Sequence, residues 1–393
     1  MNTAPLSALR FGTYPSLKTL GHHLRQAGKG SKVRLESNDS ISNKGEFMTK
    51  TIRSRTKLFA AIAAPLVVVG ATVVPLTAGV SASATTPTVT LNITGVPSLT
   101  EGLITVARKM GYFAKYHIKV NWTDAQGGSA VVAAVVGGSA DLGYTADTPP
   151  LKALAGGAPL HFVVGQDTIG RAGNLVAFTK ASTGITSWAN IGANTGVTLE
   201  SNAPFSMGAL ALLAAAYKAN PSQMSNICGG ACPDGPVVNG AASLNLMGED
   251  ALTGVASVVA AFYPQAAEIK DTTSLVSLGD PLAYVFPVGT PYAMFFTSSS
   301  LWTHAGAKKA ALRNFAAAMK MAITYGNKHL AQVYAYGAAA THSPVTLATN
   351  ASLTPRVPFN ATITAGSIAG VVTQMSNIGW SVPSANQLAA FFH

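Results

Sequence analysis

From residue 88 onward, short β-branched runs alternate with segments whose apolar positions recur every three or four residues. Residues 88–94 alternate apolar and polar side chains, the period of a half-buried strand. Ser98-Leu99-Thr100-Glu101 has the spacing of a capping box, and Leu103, Val106, Ala107 and Met110 then share one helical face until Gly111 stops it. Residues 117–122 read as a second strand, and Gly127-Gly128-Ser129 opens a small-residue helix ending at Gly137-Gly138. Residues 140–144 form a third strand that runs straight into Thr148-Pro149-Pro150. There Thr148 suits the helix cap and Pro149 its first position. Gly156-Gly157 closes this helix, and residues 160–164 and 174–179 are further strands.

The second stretch repeats the style. Residues 188–192 are helix-like, 195–199 a strand, and 204–218 a helix rich in Ala and Leu that Asn220-Pro221 ends. Residues 235–239 read as a strand, with a helix after Ala241, while 256–262 fit a buried strand or a helix segment equally. Residues 284–287 and 292–297 look like strands, 307–336 mostly helix, and 363–392 contain at least one more helix. Strands and helices alternating this regularly predict an α/β fold: parallel sheet with helices on both faces, in two lobes joined by two chain crossings.

Charge divides the chain. Its formal net charge is +11, yet residues 1–84 hold 11 of the 26 Lys and Arg against only Glu36, Asp39 and Glu46. The remainder, with 15 basic and 12 acidic residues, stands near +3. It contains no basic run with interleaved aromatics, so no nucleic-acid partner is expected. Residues 48–84 have the form of a signal peptide, with Lys50, Arg53, Arg55 and Lys57 before an uncharged run and Ala82-Ser83-Ala84 at the cut. Residues 1–47 then read as a leader or a mis-set start. The competing reading of residues 58–80 is an uncleaved anchor, since 23 uncharged residues can span a bilayer; Pro65, Pro75 and the Ala-Ser-Ala site favour cleavage. Either way the body lies outside the cytoplasm, in the periplasm or on the outer face of the membrane. Cys228 and Cys232, in NICGGACPDG, are expected to form a disulfide there, and no further ligands stand nearby for a metal.

The chemistry of catalysis is scarce. No G-x-S-x-G, H-E-x-x-H or G-x-x-x-x-G-K-[ST] occurs, and no G-x-G-x-x-G follows a strand. His117 and His161 each abut a strand, a structural placement, and 10% charged residues leave few carboxylates to pair. No catalytic residue, cofactor or metal is expected. Residues 138–150, GSADLGYTADTPP, are more informative. They gather Tyr144, Thr145, Asp147 and Thr148 where a strand's carboxyl end meets a helix's positive end, which suits a small anion or an ordinary turn. Helix starts near 98–101, 128–129, 145–148 and 202–206 all follow strands, so in an open sheet they share the edge where ligands bind. Arg171, in DTIGRAGN, is an anion clamp or an exposed loop arginine.

Three segments carry a family resemblance: LTEGLITVARKMGYFAKYHIKVNW from Leu99, GGSADLGYTADTPP from Gly137, and ESNAPFSMGALALL from Glu200. The chain resembles the periplasmic substrate-binding proteins of ABC importers, nearest the aliphatic sulfonate, taurine and nitrate branch, over nearly all of residues 88–393. The resemblance implies a type II two-lobed periplasmic-binding-protein-like fold, its ligand cleft between lobes joined by two hinge strands. Lobe 1 would comprise residues 85–178 and 291–393, and lobe 2 residues 179–290. It implies a monomeric receptor that holds a small anion, such as taurine or an alkanesulfonate, and delivers it to a membrane ABC permease. Carried over by position, the ligand-facing residues are Ser98, Leu99, Thr100, Gly128, Ser129, Thr145, Asp147, Asn202 and Ser206. The chain departs from the family where Phe262-Tyr263-Pro264 replaces a frequent aromatic–Asp–Pro run. Neutral Tyr263 then faces the ligand and admits an aromatic or larger sulfonate or carboxylate. An extracellular sensor subunit is a second binding reading. A thiamine-pyrimidine-precursor-type enzyme on the same fold is a third, but it calls for a Cys-rich segment and an active-site His, and the lone Cys pair and export signal argue against it.

Overall fold

The structure, a computed structural model, describes residues 87–171, 174–193, 196–223, 238–240, 246–304 and 306–393. The leader, the signal segment and the Cys228–Cys232 pair lie outside the described residues. The described residues include ten strands: β1 Val89–Gly95, β2 Ile118–Asp124, β3 Leu142–Ala146, β4 Leu160–Thr168, β5 Leu175–Thr179, β6 Leu199–Ser201, β7 Val238–Gly240, β8 Val258–Phe262, β9 Val276–Gly279 and β10 Pro291–Ser298. They make two five-stranded sheets, ordered β2-β1-β3-β10-β4 and β7-β6-β8-β5-β9.

Neither sheet is purely parallel, as the strand–helix alternation had suggested. β1 runs parallel to β2 and β3, but β10 lies antiparallel between β3 and β4, and β5 lies antiparallel between β8 and β9. The helical crossovers produce the parallel pairs, whereas β5 and β10 each arrive from the other sheet and insert in reverse. Residues 258–262 are strand. β5 and β8 read LVAFT and VVAAF because neighbours cover both faces, which removes the alternation that marks a half-exposed strand. β1 keeps it: Leu91 and Ile93 are buried while Thr90 and Asn92 are exposed. Helix Met207–Ala219 is apolar on every side and buried from Met207 to Ala216, as a helix packed on all sides must be.

Glycine sets one contact that positions the site. A Cβ on Gly102 would lie 1.9 Å from the Val333 carbonyl oxygen, and one on Gly337 would lie 1.9 Å from that of Leu99. Helix Gly102–Lys109 and helix Leu330–Ala340 therefore touch backbone to backbone, which fixes the 3-10 turn Leu99–Glu101. The expected capping box does not form: Ser98 occupies the cap with no side-chain bond to the backbone, and its hydroxyl meets Thr100 Oγ1 at 2.9 Å. Met110 follows the last helical residue, and it is 47% exposed rather than buried with Leu103 and Val106.

The first crossing falls earlier than residue 178, because β5 belongs to the second sheet. The two crossings are bonded side by side: Ile169 N–H donates to Thr290 O at 2.7 Å, and Gly289 N–H donates to Ile169 O at 2.8 Å. Residues 284–287 are not a strand, since helix Pro281–Val285 includes their start. Asp280 caps that helix by accepting from the Leu282 and Ala283 N–H groups at 2.8 and 3.3 Å. The tail also departs from a first-lobe assignment. Residues 357–361 cover the outer edge of β4, with Asn360 N–H on Gln166 O at 2.8 Å, but helix Ala365–Asn377 packs on helix Met207–Ala219. Ile368, Val371 and Met375 thus share a core with Leu210 and Leu213.

Candidate functional site

The carboxyl ends of β1, β3, β4, β6 and β8 all open on one cleft of about 870 Å3, its mouth included. The first sheet and its helices contribute Ser98, Leu99, Thr100, Gly128, Tyr144, Thr145 and Asp167; the second contributes Asn202, Ser206, Met207, Phe262, Tyr263 and Gln265. The two sides approach closely, since a Cβ on Gly127 would lie 3.1 Å from that of Ala203.

A wired floor lies under the first-sheet side. Thr100 Oγ1 and the Tyr144 hydroxyl each stand 2.8 Å from Asp167 Oδ2 and donate to it. Gln166 Nε2 donates to the Tyr144 hydroxyl at 2.8 Å and to the Thr100 carbonyl at 3.2 Å. Each hydroxyl has a single proton, so Ser98 and Gln166 feed Thr100 and Tyr144, and those two direct both of their protons onto Oδ2. Asp167 Oδ1, equally buried, receives no hydrogen bond from the protein. Burial pushes the Asp167 carboxyl up to about 6, against the lowering effect of Tyr144, Thr100 and Gln166, so it is ionised at neutral pH.

Asp147 differs. It is fully buried at the start of helix Thr148–Ala155, with neither carboxyl oxygen hydrogen-bonded. Burial first and the nearby Asp167 charge second hold it well above the usual carboxylate range, and it does not line the cleft. Thr148 is the first helical residue rather than the cap, Pro149 is the second, and the Thr148 hydroxyl is buried without a partner. Pro149 and Pro150 also lack N–H groups, so this helix end has fewer donors for an anion than GYTADTPP suggested.

Donors come instead from two other helix ends. Helix Gly128–Val136 begins at the cleft with no side-chain cap, and a Cβ on Gly128 would meet Pro149 and Thr145 Oγ1 at 2.2 and 2.7 Å. Ser206 caps helix Met207–Ala219 by accepting from Ala209 N–H at 3.2 Å, and meets Ser201 Oγ at 2.9 Å. Thr145 is 4% exposed and lines the cleft, with no hydrogen bond from its hydroxyl among the described residues.

The structure gathers Ser98, Leu99, Thr100, Gly128, Thr145, Asn202, Ser206 and Tyr263 around one space. It leaves out Ser129, which is exposed on the outer side of its helix, and Asp147, which is sealed beneath. Arg171 is exposed and does not line the cleft. Sequence reasoning missed Asp167, Gln166 and Tyr292. The polar Gln-Asp-Thr ending of an otherwise apolar β4 was the available signal. His161 is a packing residue, stacked on Trp302 at 4.2 Å, and burial lowers it to about 4.

Residues 102–279 match the model of the NMT1/THI5-like family. The fold is similar to that of the alkanesulfonate-binding protein SsuA of Xanthomonas axonopodis pv. citri bound to MOPS, with 17% identity, 77% of this chain and 98% of that chain covered, and a TM-score of 0.59. The periplasmic aliphatic sulphonate binding protein SsuA of Escherichia coli is alike at 17% identity, 77% and 98% coverage and 0.57. The periplasmic nitrate-binding protein NrtA of Synechocystis PCC 6803 follows at 9% identity, 66% and 69% coverage and 0.53. No curated protein matches the sequence. These likenesses establish the periplasmic-binding-protein fold expected from the three sequence segments.

Proposed function

We propose that this chain is the extracytoplasmic solute-binding component of an ABC import system. It captures a small organic anion, with an aliphatic sulfonate the leading candidate, in the cleft between its sheets and delivers it to a membrane permease. One observation carries the reading: strand ends and helix starts from both sheets converge on a single space bounded by two bonded chain crossings. A receptor needs this arrangement, because ligand contacts on both sides draw the lobes together while the crossings bend. The starts of helices Gly128–Val136 and Met207–Ala219 supply the positive end of the cleft. No helix among the described residues is long and apolar enough to cross a membrane.

Calorimetric titration with alkanesulfonates, taurine, nitrate, aromatic sulfonates and carboxylates tests it. At least one of these anions should bind at micromolar concentration, which needs about 8 kcal/mol. Preference for a neutral sugar or a cationic peptide over every anion would overturn the assignment.

A further inference from the structure

Resting on the receptor reading above, we infer that Asp167 selects solutes that carry an N–H cation, so that the ligand is a small zwitterion, anionic at one end and ammonium-bearing at the other. Asp167 lines the cleft yet is only 3% exposed, and its Oδ1 takes no hydrogen bond from the protein. The wiring around it assigns both available hydroxyl protons to Oδ2. Oδ1 is thereby left without a donor, on a residue that lines the ligand space. No Lys or Arg among the described residues lines the cleft to offset the carboxylate charge. A ligand that is only an anion would bring a second negative charge beside a buried carboxylate, an unfavourable pairing at low dielectric. A ligand with an ammonium group removes both difficulties, because it donates to Oδ1 and neutralises the pair. Tyr144, Tyr292 and Tyr334 also line this space. The anionic end then falls toward Gly128 and Ser206, where the helix starts are.

Matched probes test this without altering the protein. Taurine and propane-1-sulfonate differ by an ammonium in place of a terminal methyl, as do 3-aminopropanesulfonate and butane-1-sulfonate. Wild-type protein should bind the amine-bearing member of at least one pair ten or more times tighter by calorimetry at pH 7.5. In Asp167→Asn that ratio should fall below three, through weaker binding of the amine and unchanged or tighter binding of the alkanesulfonate. If both members of each pair bind wild type equally, the receptor reading stands and the role of Asp167 is overturned. If Asp167→Asn retains the tenfold preference, Asp167 is likewise excluded as its source. If no anion in these pairs or in the wider panel binds, the receptor reading itself fails and takes this inference with it.

Discussion

Under the cleft on the first-sheet side, Asp167 sits in a chain of donors running Ser98–Thr100 and Gln166–Tyr144, held by a turn that two helices clamp backbone to backbone. Across from it, the second sheet presents Met207, Phe262 and Tyr263, with Asn202, Ser206 and Gln265 as its polar groups. Directional bonds tolerate little movement, whereas apolar contacts survive a slide of an ångström or more. On the proposed reading the difference teaches a division of labour: the first side recognises the solute, and the second covers it. The first side also buries an ionised carboxylate at a cost to stability.

Breaking the clamp should have the largest effect. Gly337→Val places a side chain against the Leu99 carbonyl, forcing the turn that carries Thr100 to move. Overpacking of this kind costs about 3 kcal/mol, measured by denaturant unfolding, and ligand affinity should fall with it. An equal change in the second side would leave Asp167 in place.

The wired carboxylate gives the next largest effect, and its sign is opposite. Its pKa is raised from 3.8 to about 6, so the folded state binds more protons than the unfolded chain between those values. Wild-type stability contributed by this group is therefore greatest below about pH 4 and is lost as pH rises toward 6. Asp167→Asn should make the ligand-free protein more stable by about 2 kcal/mol at pH 7.5 and by little at pH 4, read from melts across that range. A variant equally destabilised at both pH values would mean that the charge costs nothing and that the wiring is only structural.

Two smaller changes separate the sides further. Thr145→Ala removes a hydroxyl without a protein partner, so binding of the best anion should weaken by about 1.5 kcal/mol in calorimetry, with the melting temperature nearly unchanged. Tyr263→Phe, on the covering side, keeps the ring and should cost about 0.5 kcal/mol or less. A larger loss there would move recognition onto the second sheet.

Much of this architecture was legible because its signals are local. The β-branched alternation of β1, the glycines opening helix Gly128–Val136 and the GYT run ending β3 all mark their elements directly. Eight of the positions carried over by motif or singled out by its absence, from Ser98 to Tyr263, face one space. What escaped depends on contacts distant in sequence. Asp167 matters because Thr100 and Tyr144, 67 and 23 residues away, reach it, and no window of sequence contains all three. Thr148 resembled a cap because capping propensity is local, but the helix starts one residue earlier than that reading allows. The reversed strands β5 and β10 were invisible for the same reason, since their direction is set by which sheet the chain has just left.

Native mass spectrometry of the protein purified from its own host tests the central claim most directly, because a solute retained in the cleft can be weighed and then identified. The account predicts one small molecule per chain, with a sulfonate or carboxylate at one end and a basic nitrogen at the other. A neutral sugar would contradict it outright, and an acid without nitrogen held at full occupancy would leave the anion receptor standing but overturn the role of Asp167.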